Sequence, residues 1–364
     1  MSSATTSCWT ISAAERRLRP VYRAGAAWLL PFVFLLHACT PEPEVWRFEG
    51  PVMGTIFHVT VVAPPAPLDR KAAADGVAAA LGEVDRQMST YRADSELSRF
   101  NRAPPGEWVP VSAATAEVVA KALEVHALSD GAFDVTVGPL VDLWGFGAGS
   151  SGEPRVPGDE ELAAAARNVG SKELGVRLDE PALIKYAERR IDLSAIAKGY
   201  GVDRAALWLQ AQGVTDYMVE VGGEVRTAGH NPQGHAWRIG IETPALQRGA
   251  PIAAVALRNE SVATSGDYRN YFEIDGKRYS HTIDPVTARP ITHGLASVTV
   301  IANDCMSADA FATAIDVLGP DKGLALAERQ HLPVYLVVRS NGGFEARHST
   351  AFEAYIDHDA GERR

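Results

Sequence analysis

The feature that most limits how this chain can fold is Asp275-Gly276, set between Tyr271-Phe-Glu-Ile274 and Lys277-Arg-Tyr-Ser280. A two-residue Asp-Gly loop between β-rich runs puts both turn residues at positive φ and closes an antiparallel hairpin. Two similar signals follow the same logic. Gly222-Gly223 separates Tyr217–Val221 from Glu224–Ala228, and Asn341-Gly342-Gly343 separates Val334–Val338 from Phe344–Arg347. Further strands are expected at Thr55–Val62, Ala236–Ile241, Ile252–Arg258 and Ser297–Ile301. Helical patterns lie between them. Residues 68–88 place Val77, Leu81, Val84 and Met88 on one face, and Ser112 opens a helix that runs to Leu128, stopped by Asp130-Gly131. Ser194 reads as the cap of a helix ending before Gly213, and Ser307 as the cap of another closed by Gly319-Pro320. Residues 145–158 read as a flexible loop. Hairpins mixed with separate helices, without βαβ alternation, argue for an α+β fold. Neither a GxGxxG turn nor a P-loop occurs, so the common nucleotide folds are not indicated.

Composition narrows the function. The chain has 364 residues, 46% hydrophobic and 22% charged, which excludes disordered, collagen-like and multi-span membrane classes. Lys plus Arg is 35 and Asp plus Glu is 45, a net charge of −10, and no long basic run occurs. Nucleic acid is therefore not an expected partner. Cysteines stand only at positions 8, 39 and 305, too few for a disulfide scaffold and wrongly spaced for zinc.

The N-terminus has its own pattern. Arg16, Arg17, Arg19 and Arg23 precede an uncharged run from Ala24 to Leu36, followed by His37-Ala38-Cys39. A basic start, a short apolar stretch and a small residue before a cut form a secretory signal, too short to cross a bilayer of about 30 Å. Leu36-His37-Ala38-Cys39 resembles a bacterial lipobox, although His37 stands where a small residue is usual. The expected layout is a signal over 1–38, a linker over 39–47 after a lipidated Cys39, and one folded domain over 48–358; an uncleaved anchor or an ordinary signal peptide cut nearby is the alternative.

Several residues could carry chemistry. Asp309 and Thr313 are four apart in Ser307-Ala-Asp-Ala-Phe-Ala-Thr-Ala314, so their oxygens project from one helix face. A carboxylate and a hydroxyl suit magnesium or calcium. Taken alone, the pair reads first as a helix N-terminus, with Asp309 favoured by the dipole. His281 follows the Asp275-Gly276 hairpin and precedes Asp284-Pro285, which places it at a sheet rim as a candidate general base. Lys198 could meet a phosphate, and Tyr91 could stack on a planar ring, though each is also an ordinary surface or core residue.

Together these residues fall into an ordered series. Met53-Gly54-Thr55, Met88-Ser-Thr-Tyr91, Ser98-Arg-Phe-Asn101, Gly131-Ala-Phe-Asp134 and Leu143-Trp-Gly-Phe146 come first. Ile191-Asp-Leu-Ser-Ala-Ile-Ala-Lys-Gly199, Val221-Gly-Gly-Glu224, Ala263-Thr-Ser-Gly-Asp-Tyr268, His281-Thr-Ile-Asp-Pro285 and Ser307-Ala-Asp-Ala310 follow. The series resembles the FAD:protein FMN transferases, the ApbE family of periplasmic flavin-transferring lipoproteins, over roughly residues 48–340.

The resemblance implies a two-lobed α+β body of antiparallel sheets packed with helices, with FAD bound between the lobes. It implies a magnesium-dependent enzyme that attaches FMN from FAD to a threonine or serine of a target protein and releases AMP. The target would be a subunit of a membrane redox pump, and the enzyme would sit on the inner membrane facing the periplasm, held by its lipid alone. Met53, Tyr91, Ala132, Phe133, Asp134, Asp192, Lys198 and Ile283 would line the FAD site. Asp309, Thr313 and the Ala195 carbonyl would hold magnesium, and His281 would be the base, which reverses the first reading of Asp309 and Thr313. A lipoprotein that only carries FAD, or one that hydrolyses it to FMN and AMP, would use the same binding residues. Two positions depart from the family pattern: Ser194 and Ala288 stand where glycine is usual.

Overall fold

The computed structural model describes residues 42–147, 155–242, 252–267, 270–341 and 343–356. The signal segment, Cys39, Tyr268 and residues 148–154 of the expected loop lie outside them.

The chain enters through strand β1 (Val45–Val52), which begins ahead of the expected domain start at 48 and pairs with β2 (Thr55–Val62). Their two-residue turn has positive φ at Met53 (49°) and Gly54 (74°). Sequence reading misses β1, because Gly50 and Pro51 argue against a strand. The sheet tolerates them there since β1 is an edge strand, where a missing donor can face outward. Helix α1 (Arg70–Met88) is capped by Asp69 and buries Val77, Leu81, Val84 and Met88, as their spacing requires. After α2 (Glu96–Arg102) and β3 (Val109–Pro110) comes α3 (Ala113–Leu128), capped by Ser112 as expected. Helices α4 (Gly138–Leu143) and α5 (Asp159–Ala166) lead to β4 (Leu174–Arg177) and β5 (Ala182–Lys185), which join β3 in a small sheet.

Helix α6 (Ala197–Ala211) is followed by β6 (Asp216–Val221) and β7 (Glu224–Ala228), then by the pair β8 (Trp237–Ile241) and β9 (Ala253–Leu257). Strand β10 (Ser261–Gly266) precedes the Asp275-Gly276 hairpin of β11 (Tyr271–Ile274) and β12 (Lys277–Ser280). A short pair, β13 (Ile283–Asp284) and β14 (Arg289–Pro290), leads to β15 (Leu295–Ala302), helix α7 (Cys305–Arg329), β16 (Val334–Ser340) and β17 (Gly343–His348).

Eight strands form the main sheet in the order β1-β2-β6-β7-β10-β15-β16-β17, with every neighbouring pair antiparallel. Sequence neighbours pair at most positions, which is how hairpin-rich chains build sheets. One face packs on helices through Val59, Leu81, Val202 and Val219 at one end, and through Val298, Ile315 and Leu336 further along. Val225, Leu257, Val337 and Phe352 form a separate apolar cluster with the β8–β9 pair. The α+β expectation holds.

Two helix starts differ from expectation. Asp304, not Ser307, caps α7, accepting the Ser307 N–H at 2.7 Å. That helix breaks at Gly319 (φ 76°), where any Cβ would lie 2.6 Å from the His293 ring, and resumes at Pro320 as a second helical stretch. Ser194 does not cap α6 either; Ile196 occupies that place, without a side-chain cap. The cause is Asp192, whose Oδ1 takes the Ser194 N–H at 2.9 Å and folds a tight turn before the helix begins.

Candidate active site

A cavity of about 370 Å³ opens where the 132–137 loop, the start of α6, the β6–β7 turn, the end of β10, the 281–285 segment and α7 converge. Ala132, Phe133, Asp134, Asp192, Ala195 and Lys198 line it, together with His281, Ile283, Asp309 and Thr313.

The 132–134 wall is fixed by its own hydrogen bonds. His126 donates from Nδ1 to the Phe133 carbonyl at 2.9 Å, and Phe133 N–H donates to Ser129 Oγ at 3.1 Å. Asp134 is buried, and its carboxylate accepts from the Thr136 amide and hydroxyl at 2.8 and 2.5 Å and from the Ser171 hydroxyl and amide at 2.7 and 3.1 Å. That carboxylate therefore braces the loop instead of offering free oxygens to a ligand.

The 191–199 segment is clamped from below. Asn101 Oδ1 accepts the Ile191 N–H at 2.7 Å, and its amide donates to the Ile191 carbonyl at 2.9 Å. The Lys185 ammonium, 1% exposed, donates to the carbonyls of Asn101 and Arg189 at 3.0 and 3.1 Å, and burial lowers its pKa. Helix α6 then starts with Lys198 and Gly199 in its first turn. Its Gly199 N–H donates to Asp309 Oδ2 at 3.0 Å, so a carboxylate on α7 satisfies an open donor of α6.

Lys198 lies between two buried carboxylates. Its Nζ is 2.7 Å from Glu224 Oε1 and 3.7 Å from Asp309 Oδ1. Burial alone would lower the Lys198 pKa, but Asp309 and Glu224 outweigh it and hold the ammonium charged. Burial pushes the Glu224 carboxyl up, partly offset by Lys198. Glu224 was only one letter of Val221-Gly-Gly-Glu224 in the sequence. The hairpin turn carries it into the cavity, a placement that spacing alone does not announce.

Asp309, Thr313 and Ala195, which offer hard oxygen donors, line the same cavity. Asp309 Oδ1 faces Lys198 beyond hydrogen-bond reach, and Thr313 Oγ1 is 3.5 Å from Ser265 Oγ. Among the described residues no group of three His, Cys, Asp or Glu side chains is placed to chelate a metal. A single carboxylate with neutral oxygens fits a cation that keeps waters and substrate oxygens, as magnesium does, and not zinc.

His281 sits at the sheet rim, as expected. Its backbone N–H and ring Nδ1 both meet the Asn270 carbonyl at 3.1 Å, so Nδ1 carries the proton and Nε2 keeps its lone pair. Burial lowers its pKa, partly countered by that carbonyl and by Asp267. The Phe146 ring meets the imidazole edge-on at 6.3 Å.

Met53 and Tyr91 line a neighbouring cavity of about 530 Å³, which shares Asp192, Ser194 and Lys198 with the first. Tyr91 is 81% exposed, so it is no core residue and its ring face is free to stack. Of the departures, Ser194 keeps negative φ without strain, whereas Ala288 holds φ 59°, the left-handed region that favours glycine.

A family model of the ApbE family matches residues 53–336. The chain is 44% identical over 332 residues to a FAD:protein FMN transferase of Vibrio cholerae, covering 90% of this chain and 98% of that one. Among solved structures, the flavin transferase ApbE from Vibrio cholerae superposes with a TM-score of 0.80 at 43% identity, covering 86% of this chain and all of that one. The apo flavinyl transferase ApbE of Pseudomonas stutzeri does so with a TM-score of 0.79 at 42% identity, over 86% and 97%. The fold and these relatives agree: the chain belongs to the ApbE family of flavin transferases.

Proposed function

We propose that this enzyme transfers the FMN half of FAD to a threonine or serine hydroxyl of a target protein. The acceptor oxygen forms a phosphoester bond to the FMN phosphorus, the pyrophosphate P–O bond breaks, and AMP leaves. The main support is spatial. Every described residue that the sequence resemblance assigns to flavin, metal or base lines one of two cavities joined at Asp192 and Lys198.

In this reading the dinucleotide lies across both cavities, with Tyr91 offering its exposed ring to a planar face and the 132–134 backbone forming the opposite wall. Asp309, Thr313 and the Ala195 carbonyl would hold magnesium, which when bound neutralises charge on the phosphoryl oxygens. Lys198, held by Glu224, adds a fixed positive charge beside the leaving phosphate. His281 takes the acceptor hydroxyl's proton at Nε2, and its lowered pKa keeps it neutral and ready near pH 7. The test is incubation with FAD, magnesium and a candidate acceptor domain, followed by mass spectrometry. Covalent FMN on the acceptor with AMP in solution is expected; AMP without adduct would make the enzyme a FAD hydrolase, and neither product a carrier.

We further propose export by residues 1–38, a lipid on Cys39, and attachment at the inner membrane facing the periplasm, where a redox-pump subunit is the target. The short apolar run ending in Leu-His-Ala-Cys supports this. Cys39→Ser should lose acyl labelling; equal labelling of both forms would remove the anchor.

A further inference from the structure

Asp316 belongs neither to the expected metal donors nor to the expected flavin contacts, yet it lines the same cavity at 1% exposure. It follows Asp309 and Thr313 on α7 at four- and three-residue steps, so all three share one helix face. Its Oδ2 accepts the Thr282 hydroxyl at 2.9 Å, and its Oδ1 is buried with no hydrogen-bond partner. Burial pushes its pKa up to about 7. A leucine would fill this place without the desolvation cost. What the carboxylate adds is the bond to Thr282.

Thr282 is the residue after His281, and all its polar groups are engaged. Its N–H donates to Ser280 Oγ at 3.1 Å, its carbonyl accepts the Ile291 N–H at 3.1 Å, and its hydroxyl goes to Asp316. On the other side, His281 hangs from the single carbonyl of Asn270, an exposed residue. The imidazole thus has one outer tether and one buried anchor.

We propose that Asp316 is a positioning residue for the His281 base, fixing the 281–283 segment to α7 through the Thr282 hydroxyl. The helix face that presents Asp309 and Thr313 then also sets where the base stands, independently of the β11–β12 hairpin. This rests on His281 acting as the base.

Thr282→Val removes the hydroxyl at nearly constant shape, Thr282→Ser keeps it, and Asp316→Asn keeps an acceptor oxygen. Proton NMR titration of His281 in each folded variant is the primary measurement, beside single-turnover FMN transfer. Wild-type His281 titrates below the ordinary 6.5. In Thr282→Val the titration moves up toward that value as the ring gains solvent, while the Ser and Asn variants follow wild type. Transfer by Thr282→Val falls about tenfold at unchanged KM for FAD, less than the roughly 10²–10⁴ expected for losing the base outright. An unmoved titration in Thr282→Val overturns the positioning role. A moved titration with unchanged transfer upholds the anchor and overturns His281 as the base.

Discussion

Asp203 and Asp309 cap each other's helices. Asp203, on α6, accepts the Cys305 and Met306 amides that open α7, both at 2.9 Å, while Asp309, on α7, accepts the Gly199 amide in the first turn of α6. Each buried carboxylate satisfies donors the other helix leaves open. Asp203 is also ion-paired to Arg226 on β7, which ties the helix pair to the sheet. The exchange demands close approach, and Gly199 permits it. A Cβ there would stand 2.3 Å from the Cys305 carbonyl oxygen and 2.8 Å from Asp309 Cβ.

Gly199→Ala tests that approach. Alanine is the better helix former by about 0.5–1 kcal/mol, so propensity alone predicts a gain. The clash is with backbone, which cannot rotate away, and overpacking of this kind costs about 1–3 kcal/mol. Packing should win. Denaturant unfolding should show a net loss, with weakened FMN transfer; a stabilised variant would mean the helices are free to part.

Asp309 caps α6 and, in the proposed function, also holds magnesium, and substitutions can separate the two. Asp309→Asn keeps an oxygen for the Gly199 amide but removes a charge from the hard-donor set. Asp309→Ala removes both. The Asn variant should unfold close to wild type yet need much more magnesium for half-maximal transfer, and the Ala variant should lose about 1 kcal/mol of stability as well. An unchanged magnesium requirement in Asp309→Asn would leave Asp309 a helix cap only.

Ala288 carries a strain that the chain could shed. Its left-handed φ of 59° costs an alanine about 1–2 kcal/mol, and its carbonyl accepts Trp144 Nε1–H at 3.0 Å, which holds the loop in place. Ala288→Gly removes the strain, loses a buried methyl of about 0.8 kcal/mol and adds about 0.4–1 kcal/mol of unfolded-chain entropy. The terms nearly cancel. Thermal unfolding should therefore show little change, whereas Ala310→Gly, inside α7 at 0% exposure, pays helix propensity and the methyl without relief. Equal losses at both sites would show that Ala288 is not strained.

The hairpins were legible because Asp275-Gly276 and Gly222-Gly223 impose positive φ locally, and the structure has it at all four residues. Strand β1 was not, since Gly50 and Pro51 carry a local veto that an edge position lifts. The pairing of Asp309 with Thr313 was legible as helix spacing. The ion pair across the cavity was not: Glu224 reaches Lys198 on α6 from strand β7, and no periodicity links residues on separate elements. The cap of α6 was illegible for the same reason, because Asp309 supplies it from over a hundred positions away in the chain. Asp316 extends the Asp309 and Thr313 spacing by one more turn, a signal present in the sequence but lost among ordinary helix residues.

Transfer should lose rate on the acidic side, at a pH set by His281. His281 Nδ1 is committed to the Asn270 carbonyl, so Nε2 is the only ring nitrogen that can receive a proton from the acceptor hydroxyl. Burial favours the neutral imidazole and lowers its pKa below 6.5. As the proposed base, His281 works when neutral, so its own titration should slow transfer only as the pH drops below that lowered pKa. A histidine freely exposed to water would begin to fail nearer 6.5. His281→Ala should bind FAD, measured by flavin fluorescence quenching, while single-turnover transfer slows by about 10²–10⁴ and the acidic limb disappears from the rate profile. Near wild-type transfer by this variant would remove His281 from the chemistry, and lost FAD binding would make it a ligand contact.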